Sequence, residues 1–390
     1  MDALFNRNVT GLAPSASIQF MAKAKQMQEM GLDVISLAGG EPDFATPDPI
    51  VEEAYRQLKA GFTHNTVGQG LPELRKRIVQ KLLQENGASY QENEIIVTPG
   101  GKNAIYLAIS TLVNAGDEVM YLDPAWVSYV PMIQANGGVP VPVVLSYAEH
   151  YRITCEALEA GYSSRTKMLI INYPNNPTGN ILSQEEANEL VRFMLKHPDL
   201  ILLSDEIYDR IVFDGKNTIS PASIPSIRDR VITINGFSKS VAMTGWRMGY
   251  LAAPRHIAEQ VYKLYQHSIT CVSGFMQKAA TVALDCTDEI EAMRRSYEER
   301  RDLFFEKLNA IDGVEARIPD GAFYAWVRIE KNNMDSFAIC NYLLEEALVV
   351  GVPGDAYGTG GEKCIRFSFA TALDKLMEAA DRMKAALDKL

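Results

Sequence analysis

Four short apolar runs in this sequence each end in a cluster of polar residues with chemical potential. After Glu94–Val97 comes Thr98-Pro99-Gly100-Gly101-Lys102-Asn103, and after Lys167–Ile171 comes Asn172-Tyr173-Pro174-Asn175-Asn176-Pro177-Thr178-Gly179. Beyond Leu200–Leu203 stands Ser204-Asp205-Glu206-Ile207-Tyr208, and beyond Val231–Ile234 stands Asn235-Gly236-Phe237-Ser238-Lys239-Ser240. A glycine pair opening a helix offers bare amides that can hold a phosphate. The other runs add an amide, a carboxylate with a phenol, and an amine. Taken singly, each has a plainer reading. Gly-Gly and Asn-Pro-Thr-Gly are turn chemistry, Asp205 could cap a helix, and a lone Lys239 is a solvated surface amine. Their meaning depends on whether one scaffold delivers all four to one place.

The surrounding pattern supplies such a scaffold. From about residue 50 to 255, short apolar runs alternate with stretches of helical period. Ile50, Ala54 and Leu58 fall at i, i+4, i+8 with Gly61 as the capping glycine, and Leu74, Ile78 and Leu82 repeat the spacing behind Pro72. Apolar runs occur at Glu94–Val97, Glu118–Leu122, Val139–Val144, Lys167–Ile171, Leu200–Leu203, Val231–Ile234 and Met248–Ala252. Most are too short for helices and too continuous for a one-sided sheet, so they read as strands of a mainly parallel sheet covered on both faces. The expected class is α/β. After about residue 285 the texture changes to an α+β unit: a helix over Asp288–Ile311, a strand over Ala322–Ile329, a helix over Ser336–Ala347, an alternating strand over Lys363–Phe369 and a closing helix from Leu373. In an open parallel sheet, ligands bind beyond the carboxyl ends of the strands, where the four polar clusters converge.

Composition narrows the classes further. A chain of 390 residues suggests two or three domains. With 47% hydrophobic and 22% charged residues it is not a disordered chain. The 38 basic against 49 acidic residues leave a net charge of −11, which disfavours nucleic acid or anionic lipid as a partner. No apolar run approaches the ~20 residues of a membrane span. The start, Met1-Asp2-Ala3-Leu4-Phe5-Asn6-Arg7-Asn8, lacks the pattern of a secretory signal. Five scattered cysteines without CxxC, and five histidines without HExxH, point to a reducing, cytoplasmic setting and to no protein-built metal site.

Read together, the motifs resemble the class I/II aminotransferases, the aspartate aminotransferase family of fold-type I enzymes that use pyridoxal 5′-phosphate (PLP). The resemblance runs from Ser15 to the C-terminal helix. It rests on Ser36-Leu37-Ala38-Gly39-Gly40-Glu41-Pro42-Asp43-Phe44, Tyr173–Gly179, Ser204–Tyr208, Ser238-Lys239-Ser240 and Met243-Thr244-Gly245-Trp246-Arg247-Met248-Gly249-Tyr250. It implies a mainly parallel, mixed seven-stranded sheet in a large domain (46–287), with a small domain built from 1–45 and 288–390. Lys239 would form a Schiff base with the PLP aldehyde and then move a proton. Asp205 would pair with the ring nitrogen, and Asn176 and Tyr208 would donate to the ring's 3-oxygen. Gly101, Lys102, Ser238 and Arg247 would hold the phosphate, and Trp126 would stack on the ring. Arg366 would clamp the substrate α-carboxylate, Gly40 would let the amino-terminal segment approach it, and Ser15, Ser17 and Ile18 lie in the stretch that lines the side-chain pocket. The family works as a homodimer with sites at the subunit interface.

The chain departs from the family at two points. Where many relatives carry a tyrosine reaching the neighbouring subunit's phosphate, this sequence has Asn65; where some have a second serine three residues before the lysine, it has Gly236. Weaker PLP retention is the expectation from both. The implied reaction is a ping-pong transfer of the amino group of an L-amino acid, of aspartate or aromatic type, to a 2-oxo acid such as 2-oxoglutarate. PLP lyases, such as β-C–S lyases and aminocyclopropane carboxylate synthases, share the scaffold and the cofactor residues, and product identity separates them. A PLP-fold transcriptional regulator fits poorly with the acidic charge. A nucleotide-binding oxidoreductase fits poorly with the absence of GxGxxG and GxxxxGK.

Overall fold

All seven apolar runs form strands of one sheet. A computed structural model describes residues 4–14 and 16–390, the side chains of residues 16 and 17 excepted. In spatial order the strands are Ile95–Thr98, Gly249–Ala252, Val231–Gly236, Ile201–Asp205, Thr166–Asn172, Glu118–Asp123 and Val139–Val144. Only Gly249–Ala252 runs against its neighbours; the other pairings in the sheet are parallel. Alternation along each strand divides the side chains between two cores. Ile96, Val119, Met168, Leu203 and Ile232 face one side, where Gly101–Leu112 and Arg255–Ser268 pack. Ile95, Val97, Met120, Leu169 and Leu202 face the other, beneath Asp48–Lys59, Pro72–Asn86 and Gln184–Lys196. Burial on both faces removes the polar alternation from the sequence, which is why these runs read as continuous. Val139–Val144 is the exception: it is an edge strand, mostly exposed, and it carries two prolines that a central strand could not accommodate.

The helices end where local chemistry stops them. Asp48–Lys59 is followed by Gly61 at φ +75°, a left-handed turn that accepts glycine readily. Gln184–Lys196 begins in a reciprocal capping box between Ser183 and Glu186. The second region is built on the long helix Thr287–Asn309 and a four-stranded antiparallel sheet ordered Val352–Pro353, Cys364–Ser368, Tyr324–Ile329, Val314–Ala316. The expected helix over Ser336–Ala347 changes character part-way, being α-helical over Ser336–Tyr342 and a π-turn over Leu343–Ala347. The amino-terminal strand Ile35–Ser36 pairs in parallel with Val349–Val350, and Leu37 O accepts the Ser368 amide at 2.7 Å. Asp123, at the carboxyl end of its strand, receives Thr359 N at 3.0 Å and Gly360 N at 2.9 Å, which ties the two regions together. Among the described residues no helix is long and apolar enough to cross a membrane, and no cluster of metal-ligating side chains occurs.

Candidate active site

Lys239 follows the strand Val231–Gly236, so its side chain emerges at the carboxyl edge of the sheet. The amine donates to Gly40 O at 2.5 Å and stands 6.0 Å from the centre of the Tyr208 ring. Burial, the largest cause, pushes its pKa down to about 8; nearby Glu41 and Asp205 pull the other way. Around it opens a cavity of about 590 Å³. Its walls include Gly40, Gly101, Lys102, Trp126, Asn176, Asp205, Tyr208, Ser238, Arg247 and Arg366 together with Lys239. Eleven residues that the sequence scatters over more than three hundred positions therefore share one space.

Asp205 ends its strand in register with Asn172 on one side and Ile234 on the other, at the middle of the sheet's edge. It is 5% exposed, and burial raises its carboxyl pKa to about 6, against a lowering by its hydrogen bond with Tyr129. That phenol donates to Oδ2 at 2.7 Å. Asn172 holds the neighbourhood from behind: its amide donates to Asp205 O at 2.8 Å, and its Oδ1 accepts the Asn176 amide at 2.8 Å. Tyr208 and Tyr324 share a hydrogen bond of 2.7 Å between their hydroxyls. Burial raises the pKa of both phenols, so both stay protonated hydrogen-bond donors near neutral pH.

Two guanidinium groups occupy different parts of the cavity. Arg247 donates to Thr244 O at 2.7 Å and lies against Gly100, where an added Cβ would come within 2.6 Å of Nη2. Gly100, at φ +84°, caps the helix Gly101–Leu112, so bare backbone, a helix amino terminus and a cation converge there. Arg366 is 4% exposed and comes from the antiparallel strand Cys364–Ser368. It donates to Asn176 Oδ1 at 3.1 Å and to Ala38 O at 2.7 Å, and it packs 4.4 Å over the Tyr324 ring. Its Nε is buried without a partner among the described residues. The Lys102 amine sits 4.9 Å from the Trp126 ring centre, and burial, then Arg247, lowers its pKa.

One expected residue is not part of this cavity, and the side chain of another is not described. Asn65 is exposed elsewhere, 3.7 Å from the Cys271 thiol, and the Ser17 side chain lies outside the described residues. At Gly236 a Cβ would meet Gly249 Cα and Met248 O at 2.9 Å each, so this backbone leaves no room for a serine. Tyr129, Tyr324 and Asn172 were not among the residues expected from sequence. Tyr129 stands three residues after Trp126 and Tyr324 within an expected strand, and only the fold brings them to Asp205 and Tyr208.

The family model described as aminotransferase class I and II matches residues 32–383. An aspartate aminotransferase of Pyrococcus abyssi is 42% identical over 361 residues, covering 91% of this chain and 92% of that one. An aromatic-amino-acid aminotransferase of Thermococcus litoralis is 41% identical over 360 residues, with coverage of 91% and 92%. Among solved structures, the aspartate aminotransferase of Thermus thermophilus with maleate superimposes with a TM-score of 0.92 at 36% identity, covering 98% of this chain and 99% of its own. A sheet edge that gathers a buried amine, a buried acid and two guanidinium groups thus coincides with full-length similarity, and the chain belongs to the class I and II aminotransferases, fold-type I enzymes that depend on PLP.

Proposed function

We propose that this protein transfers the amino group of an L-amino acid, of aspartate or aromatic type, to a 2-oxo acid, with 2-oxoglutarate as acceptor. The observation that carries the reading is one cavity holding an amine of lowered pKa, a buried acid and a separate buried arginine. The residues present fit PLP. The bare Gly100 backbone beside Arg247 suits a phosphate, and the unpartnered Arg366 Nε is a donor awaiting an acceptor.

When bound, the cofactor supplies a conjugated ring that accepts the electron pair released at the substrate Cα. Lys239 would hold the cofactor aldehyde through its amine, and a pKa near 8 leaves a useful neutral fraction at neutral pH. Its Nζ would also carry a proton to and from the substrate Cα. Asp205 would hold a negative charge for the ring nitrogen, and Asn176 and Tyr208 would donate to the 3-oxygen. The amides of Gly101 and Lys102, the Ser238 hydroxyl and the Arg247 fork would hold the phosphate. Trp126 would cover the ring. Arg366 grips the substrate α-carboxylate, and the narrow backbone at Gly40 lets the amino-terminal segment approach it.

Substrate class is supported by the remaining side chains. No carboxylate among the described residues lies within ion-pair distance of Lys102, so its amine can receive an acidic side chain, while the adjacent Trp126 offers an apolar face. We take 46–287 as the large domain and 1–45 with 288–390 as the small one; the pairing of Ile35–Ser36 with Val349–Val350 supports this division. The five free cysteines, four of them buried, agree with a cytoplasmic setting. A homodimer is supported by the exposed Asn65, which has no role in its own chain's cavity. The test is a screen of amino donors against 2-oxoglutarate, pyruvate and oxaloacetate with PLP present. The expected products are glutamate and the matching oxo acid from aspartate, phenylalanine or tyrosine. Release of pyruvate and ammonia without a new amino acid would replace this reading with a lyase.

A further inference from the structure

Tyr129 has no part in the roles above, yet it touches the acid on which they depend. It opens the helix Tyr129–Ala135 and is 2% exposed. Its hydroxyl donates to Asp205 Oδ2 at 2.7 Å, and its ring meets Trp126 edge-on, with centroids 5.3 Å apart and planes at 82°. Among the described residues, the other Asp205 oxygen receives only the Ile207 amide, at 3.3 Å. A buried carboxylate is costly unless it is hydrogen-bonded, and its orientation is set by whichever donor is short and well placed. For Asp205 that donor is Tyr129, reaching in from the connection that follows a different strand. The same ring braces the tryptophan beside the cavity.

Resting on the reading of this cavity as the PLP site, we propose that Tyr129 is a positioning residue for the cofactor ring: its hydroxyl fixes the Asp205 carboxylate and its edge fixes Trp126, so that acid and aromatic face are presented together. A tyrosine serving only the core would hold its helix in place and leave Asp205 indifferent to the hydroxyl.

Tyr129→Phe separates the two, because it keeps the ring and removes one oxygen. PLP affinity of the apoprotein, read by tryptophan fluorescence, is expected to fall about tenfold or more, the usual worth of a hydrogen bond to a charged group. Turnover should fall at least as far, while KM for the amino donor stays within about threefold, since Tyr129 does not reach the substrate. Tyr129→His, which retains a donor, should recover much of the affinity. The loss must also disappear when Asp205 is already Asn: the double variant should bind PLP as Asp205→Asn does. Wild-type affinity in a folded Tyr129→Phe variant, or an equal loss in both backgrounds, would overturn the proposal. If Tyr129→Phe does not fold, Tyr129→His decides: affinity near wild type supports the role, and a loss as large as that of Asp205→Asn overturns it. A wild-type apoprotein that takes up no PLP is a separate result, which removes the functional reading and this role with it.

Discussion

At the scale of single residues, the cavity floor holds two ionisable groups in positions that oppose folding. Asp205 titrates near 6 in the folded chain, above its ordinary 3.8, because burial disfavours its charge. A raised carboxyl pKa means that the native state binds its proton more tightly than the unfolded state. The cost is therefore absent below pH 4, grows between pH 4 and 6, and is complete above 6. Asp205→Asn should stabilise the apoprotein at pH 7.5 by on the order of 2–3 kcal/mol and have little effect at pH 4. Chemical denaturation of variant and wild type at the two pH values checks the sign, and a stability difference between them that is the same at both would refute it. The same substitution should lower turnover by orders of magnitude, since its charge matters most in the transition state. Lys239 runs the other way: its pKa, lowered from 10.5 to about 8, makes the folded state less stable below pH 8 and relieves it as pH climbs toward 10.5. Lys239→Ala should abolish both turnover and the absorbance band that arises from the lysine-linked cofactor, while leaving far-ultraviolet circular dichroism unchanged. Arg366→Lys should reduce kcat/KM for every α-amino acid by roughly 10–100-fold, because an amine cannot reproduce the guanidinium fork. A loss confined to one substrate class would make Arg366 a side-chain selector instead.

Elements explain both what could be read from the chain and what could not. Six of the seven strands were legible because burial on both sides of the sheet leaves uninterrupted apolar runs, and the polar clusters behind them stood out because ligands of open parallel sheets bind beyond strand ends. Arg366 was harder. Its strand alternates polar and apolar residues as a half-exposed strand would, yet all five residues of Cys364–Ser368 are buried: Arg366 looks into the cavity, while Cys364 meets the Tyr151 hydroxyl and Ser368 the Ala370 amide. Tyr129, Tyr324 and Asn172 were invisible for a related reason. Each acts by a hydrogen bond to a residue from another element, 2.7–2.8 Å away, and no local pattern marks such a partner. The turn into Gly101–Leu112 carries a testable consequence. Gly100 is left-handed and lies against Arg247, so Gly100→Ala adds both backbone strain and a collision with the guanidinium. PLP affinity should drop about tenfold or more as the fork is displaced, as expected for a charge-assisted bond lost. The melting temperature should change far less, since the helix itself is packed through Ala104, Ile105 and Ala108. A variant that melts early yet binds PLP normally would show that Gly100 serves the fold alone.

For the whole molecule, the unresolved demand is what covers the helix Asp48–Lys59. Its inner face is satisfied by Ile50 and Ala54, but Val51, Tyr55 and Leu58 remain 44%, 59% and 42% exposed at i, i+4 and i+7. Isolated apolar residues on a surface need no explanation; a stripe at helical spacing, followed within ten residues by exposed Val67, does. The homodimer proposed above would account for it, and also for Asn65, which lies between Leu58 and Val67 in sequence and does not line its own chain's cavity. If the copies meet there, Asn65 of the partner subunit completes the phosphate site, and dimerisation and cofactor affinity become linked. Val51→Glu with Leu58→Glu places carboxylates on the stripe, away from every cavity residue. Sedimentation velocity should show the wild type as a dimer and the double variant as a monomer, with PLP binding weakened in the variant and recovering as protein concentration is raised. Asn65→Ala should leave the dimer intact and weaken PLP by about tenfold, the worth of one hydrogen bond to a charged phosphate. A double variant that remains dimeric would move the interface elsewhere, and a monomer that keeps full PLP affinity would show that each chain builds its phosphate site unaided.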